Sequence, residues 1–158
     1  MVGVVVHLED RWNYTQSDRD MDVMQMYEES AKALGADLFV VIDKTTDGMI
    51  HRFPADIKYA SYGSLSEALK AYPAATKLYF EHVDAIPARI QYVALHDLVH
   101  PEGDVLYLFG GDEAGLGDLG ELVLGEGDAV VSIDVTTYIF WAIVAMTVAL
   151  YDRHTKAR

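Results

Sequence analysis

Residues 100–116 read HPEGDVLYLFGGDEAGL, and this stretch contains the sharpest change of character in the chain. Its apolar run, Val105–Phe109, has the length of a strand and is rich in Val, Leu and aromatic residues, which predicts a buried strand of a parallel sheet. The run stops at Gly110 and Gly111. Open α/β sheets bind ligands at the carboxyl ends of their strands, where glycine lets a flat ligand approach the backbone. We therefore expect a binding site immediately after this strand.

The residues around these glycines exclude two well-known phosphate-binding loops. No Lys-Ser or Lys-Thr pair follows and the spacing is not GxGxxG, so the stretch is neither a Walker loop nor a dinucleotide fingerprint. Asp112, Glu113 and Asp118 would also repel a phosphate. Carboxylates beside bare backbone suit a ligand with ribose hydroxyls and an adenine edge but no phosphate, such as S-adenosylmethionine. An acidic surface loop is the alternative interpretation.

The composition indicates one globular domain over residues 1–158, with 51% hydrophobic residues, 23% charged residues and no cysteine. The lack of cysteine excludes disulfides and thiolate metal sites, and we predict no bound metal. Residues 1–8 lack the basic flank of a signal peptide, and the apolar stretch 139–151 is shorter than the roughly 20 residues that span a bilayer. We expect a cytoplasmic protein that makes no membrane contact.

The formal net charge of −13 disfavours non-specific binding to nucleic acid, because neutralisation of phosphates supplies most of that affinity. The positive residues are unevenly distributed. Arg11 and Arg19 lie in one early loop, and Arg153, Lys156 and Arg158 belong to a basic tail. We expect any RNA binding to be weak and to decrease strongly with added salt.

Strand and helix patterns alternate along the chain, which predicts an α/β fold with a mostly parallel sheet of five or six strands and helices on both faces. Strands are predicted over residues 2–8, 37–42, 57–62, 77–81, 105–109 and 129–133. Helices are predicted over residues 21–34, 64–72, 87–93 and 138–153. Ser64 and Glu67 form a capping box, and Gly35 suits the position after a helix. The last helix is apolar nearly all round, so we expect it to be buried.

The C-terminal third resembles the SPOUT class of methyltransferases, in its SpoU-like branch that modifies RNA ribose 2′-oxygens. Residues 107–116 (YLFGGDEAGL) compare with the second motif of that family, in which Phe-Gly-Pro-Glu precedes a turn of small residues. Residues 131–134 (VSID) and 140–153 compare with the third motif, which is Val-x-Ile-Pro, a loop, then Leu-Asn and a helix that ends in Leu-Tyr. The resemblance implies S-adenosylmethionine as cofactor, a C-terminal trefoil knot over residues 105–153, an RNA substrate and a homodimer.

The first motif of the family departs most from its pattern here. Counting back from Gly35, the family's arginine falls on Glu29, and its asparagine falls on Val23 or, with a one-residue slip, on Asp22. In the family that arginine activates the ribose hydroxyl or holds RNA phosphate. Glu29 cannot hold phosphate, although it could serve as a base.

Other residues are candidates for the missing catalytic role. We predict Arg11 or Arg19 as the replacement for the family arginine, together with Glu29. His7 lies at the end of the first predicted strand, and His82 directly follows the fourth. Both are candidate bases, although a lone histidine is more often structural.

The cofactor-binding residues are those that the resemblance places in the loops after the strands. Family members hold the cofactor mainly through backbone groups there, and such contacts survive side-chain changes. In the aligned motifs, Asp134 replaces proline, Trp141 replaces asparagine and Asp112 replaces glutamate. The predicted cofactor-binding residues are Phe80, Glu81, Gly110, Gly111, Ile133, Thr136, Ile139 and Trp141.

Three functions are compatible with these observations. The first is an active S-adenosylmethionine-dependent RNA methyltransferase, with ribose 2′-O as acceptor. The second is a degenerate member that binds the cofactor or a macromolecular partner without methyl transfer, which would explain the charge and the lost side chains. The third is an unrelated flavodoxin-like or Rossmann-like binding domain, which only the alternation of strands and helices favours.

Overall fold

A computed structural model describes residues 1–7, 18–43, 57–111, 116–117, 123–133 and 142–157, without the side chains of residues 18–24. The strands in these ranges are β1 Val2–His7, β2 Leu38–Ile42, β3 Lys58–Tyr62, β4 Thr76–Phe80, β5 Tyr92–Ala94, β6 Val105–Phe109 and β7 Ala129–Ser132. The α-helices in these ranges are α1 Asp18–Ala33, α2 Leu65–Ala71 and α3 Ala142–Lys156.

The strands form one all-parallel sheet in the order β3-β2-β1-β6-β4-β7-β5. Every residue of β2 and of β6 is buried. This burial explains why their sequences are continuous apolar runs and do not alternate. Strand β6 lies between β1 and β4, so Phe109 at its end is in register with Val6 on one side and Phe80 on the other.

Helices cover both faces of the sheet, as predicted. On one face, α1 and α3 bury side chains such as Tyr27 and Met146 against the sheet. On the other face, α2 contributes Ala68, while Leu116 packs into the same core cluster from the segment after β6. The sheet therefore has packed side chains on both of its faces.

Local signals mark the helix ends where they were expected. The Ser64 Oγ atom accepts a hydrogen bond from the Glu67 N–H at 3.2 Å, and a Glu67 carboxylate oxygen accepts one from the Gly63 N–H at 3.1 Å. Gly35 follows α1 with φ of 89°, a conformation that favours glycine. These short-range contacts explain why the capping box and the helix stop are visible in the sequence.

The structure corrects two predictions. Among the described residues the sheet has seven strands, not five or six. The predicted helix over residues 87–93 is wrong, because Tyr92–Ala94 forms edge strand β5 and pairs only with β7 among the described strands. A three-residue edge strand is too short to show a period of two, so its apolar residues were assigned to a helical pattern.

Helix α3 is less uniformly buried than its composition suggests. Ala142, Met146, Ala149 and Leu150 are buried, whereas the side chains of Val144 and Tyr151 are exposed. Within the described ranges, no helix is long and apolar enough to cross a membrane.

Candidate functional site

The carboxyl ends of β4, β6 and β7 meet at one edge of the sheet. Phe80 is in register with Phe109 on β6 and with Val131 on β7. The Phe80 and Phe109 rings stack with centroids 4.8 Å apart. These two rings lie at the ends of their strands. The residues that follow the three strands are the ones expected to contact a ligand.

Glu81 joins the chain segments that leave these strands. Its backbone N–H donates to the Val131 carbonyl at 3.0 Å, which extends the β4–β7 pairing by one step. One carboxylate oxygen accepts the His82 N–H at 2.9 Å, and the other accepts the Leu116 N–H at 2.9 Å. Leu116 lies beyond the glycine pair, so Glu81 connects the end of β4 to the segment that follows β6.

Two buried polar atoms at this edge have no hydrogen-bond partner among the residues that the structure describes: Ser132 Oγ and His82 Nε2. Ser132 ends β7 and is only 1% exposed, and the His82 side chain is 10% exposed. The His82 Nδ1 atom accepts the Asp84 N–H at 3.3 Å, so in the neutral ring the proton lies on Nε2. Buried polar groups without a partner are rare in folded proteins, and here they point to a ligand.

The remaining predicted cofactor-binding residues divide into two groups. Phe80 is buried at the edge of the sheet, and Gly110, Gly111 and Ile133 are partly buried beside it, so the fold brings these four together with Glu81. The other three lie outside the described residues; they are Thr136, Ile139 and Trp141.

The predicted catalytic residues lie on or before α1. Arg11 is outside the described residues, and Arg19 is described only as part of the helix backbone. Glu29 is exposed, and its carboxylate accepts a hydrogen bond from Gln25 Nε2 at 2.7 Å. Its neighbour Glu28 is 6% exposed, and burial, reinforced by the charge of Glu29, raises the pKa of the Glu28 carboxyl group.

A buried polar network that sequence analysis did not anticipate connects α3 to β6. His100 Nδ1 contacts the Tyr107 hydroxyl at 2.7 Å, and His100 Nε2 contacts Asp152 Oδ2 at 2.8 Å. Arg153 donates to the Tyr107 hydroxyl at 3.2 Å and to the Pro101 carbonyl at 3.0 Å. All its members are bonded, which is typical of a structural network.

Burial dominates the pKa of His100. Desolvation lowers this pKa, and the charges of Lys156 and Arg153 act in the same direction, although the bond to Asp152 opposes them. Burial would raise the pKa of Asp152, but hydrogen bonds from Lys156 and His100 outweigh it, so the Asp152 pKa is lowered. The neutral histidine thus bridges an ionised aspartate and a tyrosine hydroxyl.

Sequence reasoning missed Ser132 and the His100–Asp152 pair for different reasons. Ser132 could have been noticed, because it is a polar residue in the short apolar run that forms β7. The His100–Asp152 pair spans 52 positions of the chain, and no local pattern indicates it. Within the described ranges no cluster of three or more His, Asp or Glu side chains could hold a metal ion.

Comparison with solved structures identifies the class of this fold. A SpoU methyltransferase and a protein described as a putative RNA methyltransferase of the TrmH family each match 98% of the chain. The chain therefore has the SPOUT fold, and the resemblance seen in the sequence is confirmed at that level.

Three solved structures illustrate the likeness. The SpoU methyltransferase AviRb from Streptomyces viridochromogenes, in complex with the cofactor AdoMet, has a TM-score of 0.68 and 17% identity, covering 98% of this chain and 57% of its own. The AdoMet-bound rRNA methyltransferase from Sinorhizobium meliloti has a TM-score of 0.64 and 16% identity, covering 99% and 57%. A structure concerned with the 2-OH methylation of C/U34 on tRNA has a TM-score of 0.63 and 19% identity, covering 99% and 90%.

These comparisons establish a fold, not an activity. The identities are below 20%, and this chain spans just over half the length of the first two proteins. No protein-family model and no curated protein sequence matches the chain.

Proposed function

We propose that this protein is an S-adenosylmethionine-dependent RNA methyltransferase that acts on ribose 2′-oxygens. The observation that carries the proposal is the pair of buried, unpartnered polar atoms at the carboxyl edge, Ser132 Oγ and His82 Nε2. They occur in a fold shared with proteins solved in complex with AdoMet.

The chemistry of these groups fits the cofactor. A serine hydroxyl both donates and accepts, and the His82 ring offers Nε2, which together match ribose hydroxyls and the edge of an adenine ring. Gly110 and Gly111 add backbone groups without side chains, and the Phe80 ring supplies apolar surface. We infer that these residues hold the cofactor, with Ile133 on the β7 side.

When bound, S-adenosylmethionine supplies an electrophilic methyl group. The chain must then orient the acceptor hydroxyl and remove its proton. Glu29 has an exposed carboxylate that accepts a hydrogen bond from Gln25. It is our candidate acceptor for that proton. Arg11 or Arg19 is the proposed contact to RNA phosphate, because these are the only arginines before residue 52.

RNA affinity in this proposal is weak and salt-dependent, for two reasons. The net charge is −13. In addition, much of the basic tail is already bonded to the protein: Lys156 Nζ donates to the carbonyls of Leu95, His96 and Leu98, and Arg153 donates to that of Pro101. Phosphate contacts must therefore come from elsewhere.

We also propose that residues 105–153 form a trefoil knot. Strand β6 follows β5 in the chain but lies between β1 and β4, and β7 lies between β4 and β5. Both strands of the C-terminal third therefore pair with strands that come earlier in the chain. The segments 112–115, 118–122 and 134–141 lie outside the described residues. An experimental structure in which residues 138–153 pass outside every loop would contradict this.

A homodimer is the proposed assembly. Exposed apolar side chains occur on two helices that pack together, Met26 on α1 and Val144 and Tyr151 on α3. A second copy of the chain would cover such a surface. Light scattering should show a particle of twice 17.5 kDa at micromolar concentration, and a 17.5 kDa particle would contradict the proposal.

The second candidate is a protein that binds S-adenosylmethionine or a macromolecular partner without methyl transfer. One observation favours it: Glu29 occupies the position of the family arginine and is bonded to Gln25. An acidic side chain there weakens contact with RNA.

One experiment separates these functions. Calorimetric titration with S-adenosylmethionine and S-adenosylhomocysteine should show binding, and a tritiated-methyl assay on bulk RNA should show transfer to ribose. Binding without transfer would favour the second candidate, and lack of binding would overturn both cofactor proposals. Full activity in both Arg11→Ala and Arg19→Ala would contradict the phosphate-contact assignment.

A further inference from the structure

Glu81 differs from an ordinary ligand-contacting carboxylate, because both of its oxygens already accept backbone N–H groups. We propose that Glu81 is a positioning residue, which holds the Leu116 backbone, beyond β6, against the end of β4 and so shapes the ligand pocket. The identity of the ligand in this inference rests on the proposed function.

The geometry places Glu81 at the junction of three strands. Its N–H bonds to Val131 of β7, and one carboxylate oxygen bonds to the N–H of its own neighbour, His82. The second oxygen reaches the Leu116 N–H, 35 positions further along the chain. A single side chain therefore fixes the relative positions of the chain leaving β4 and the chain returning after β6.

Leu116 is attached in two ways. Its N–H is bonded to Glu81, and its side chain is 7% exposed in the same core cluster as Tyr79 and Leu108. The chain leaves β6 at Gly110 and is thus held again at Leu116. These two attachments hold the Leu116 backbone close to the end of β4.

The side chain of His82 depends on the same carboxylate. The Glu81 bond to the His82 N–H holds the backbone from which this imidazole extends. Loss of Glu81 would therefore disturb two features of this edge, the backbone at Leu116 and the unpartnered His82 Nε2 atom.

Asp128 provides a matched control at the opposite edge of the sheet. Its carboxylate also accepts two backbone N–H groups, from Lys77 at 2.7 Å and from Gly125 at 2.9 Å. It lies at the amino ends of β4 and β7, whereas Glu81 lies at their carboxyl side. A general role in stability predicts similar effects for the two residues, but a positioning role predicts different effects on binding.

The test compares Glu81→Ala, Glu81→Gln and Asp128→Ala in the full chain, with S-adenosylhomocysteine as the calorimetric probe. We expect Glu81→Ala to weaken binding about tenfold or more and Glu81→Gln to weaken it less, because glutamine keeps one acceptor. Asp128→Ala should lower the melting temperature without changing the dissociation constant. Amide hydrogen exchange, measured without ligand, should accelerate at Leu116 and His82 only in the Glu81 variants.

Three results would count against the inference. Unchanged affinity in Glu81→Ala would overturn it, as would unchanged exchange at Leu116. Equal loss of affinity in Asp128→Ala and Glu81→Ala would show that Glu81 acts only through global stability. If the wild-type chain does not bind the probe, the proposed function fails, and hydrogen exchange alone then decides whether Glu81 holds the two amides. Glu81→Gln preserves side-chain volume and serves if Glu81→Ala does not fold.

Discussion

The amino edge of the sheet, where the parallel strands begin, and the carboxyl edge, where they end, differ in how their polar groups are bonded. At the amino edge, the Met1 amine donates to Asp104 Oδ1 at 2.8 Å, the Val2 N–H donates to Asp37 Oδ2 at 2.8 Å, and Asp128 accepts two further N–H groups. At the carboxyl edge, the buried atoms Ser132 Oγ and His82 Nε2 have no partner in the described part of the chain.

This difference indicates that the amino edge contributes to stability and the carboxyl edge to ligand binding. A buried polar group without a partner destabilises the folded state, whereas the carboxylates at the amino edge satisfy backbone donors and stabilise it. At the carboxyl edge we propose that a ligand supplies the missing partners. We therefore expect mutations at the amino edge to change the free energy of unfolding and mutations at the carboxyl edge to change affinity.

The largest effect should come from Gly111→Val at the carboxyl edge. A branched side chain beside the end of β6 would occupy the space we assign to the ligand, so S-adenosylhomocysteine should bind at least about 100-fold more weakly. Gly110→Val should act similarly. Calorimetry measures the loss, and circular dichroism checks that the variants fold.

Gly63→Ala is the control for the glycine variants. Gly63 follows β3 at the same edge, and an added Cβ would meet a Glu67 carboxylate oxygen at 3.5 Å, an ordinary contact. Affinity should not change. Wild-type binding by Gly111→Val would place the pocket elsewhere and would break the distinction between the two edges.

The next effect should come from Asp128→Ala at the amino edge. Two backbone N–H groups lose a charged acceptor, which should lower the free energy of unfolding by about 1.5–3 kcal/mol in urea denaturation. Glu126→Ala, an exposed acidic residue of the same turn, should change stability little. An Asp128→Ala protein that kept full stability would show that the bonds at this edge are not structural.

The pH dependence of unfolding tests whether polar groups between the edges also stabilise the fold. Because the pKa of His100 is lowered on folding, the unfolded chain takes up the proton first as pH falls. Stability should be fully present above pH 6.5 and should decrease as the pH falls toward the folded-state pKa, by at most about 1.4 kcal/mol per pH unit.

His100→Gln should remove this component of the pH dependence, because glutamine does not titrate. His154→Gln, at an exposed position of α3, should keep it. The protonated His100 ring would face the positive charges of Arg153 and Lys156, and its Nδ1 atom could no longer accept a hydrogen bond from the Tyr107 hydroxyl. The Asp152 carboxylate acts in the opposite direction and favours the protonated ring. Identical pH profiles for wild type and His100→Gln would contradict the assignment.

The smallest effect should come from Ser132→Ala, which should act in opposite directions on stability and on ligand binding. Removing an unsatisfied buried hydroxyl should leave stability unchanged or raise it by up to about 1 kcal/mol. The same change should weaken S-adenosylhomocysteine binding several-fold, because the hydroxyl is our proposed ligand contact. Lower stability with unchanged affinity would show that Ser132 is bonded within the protein.

Much of the fold follows from the sequence, because its signals are local. The apolar runs at Leu38–Ile42 and Val105–Phe109 predict buried strands, and the Ser64–Glu67 box predicts the start of α2. Strand β5 could not be found in this way, because three edge residues carry too little pattern.

The sequence by itself determined the described strands except β5, the three α-helices, the place where the glycine pair ends β6, and the family that the last third resembles. Only the tertiary structure decided that β6 inserts between β1 and β4, that Glu81 reaches Leu116, and that Ser132 Oγ is buried without a partner in the described residues. The physical reason is range: hydrophobic period and capping act within a few residues, whereas these contacts join segments tens of residues apart and depend on the packing of the whole sheet.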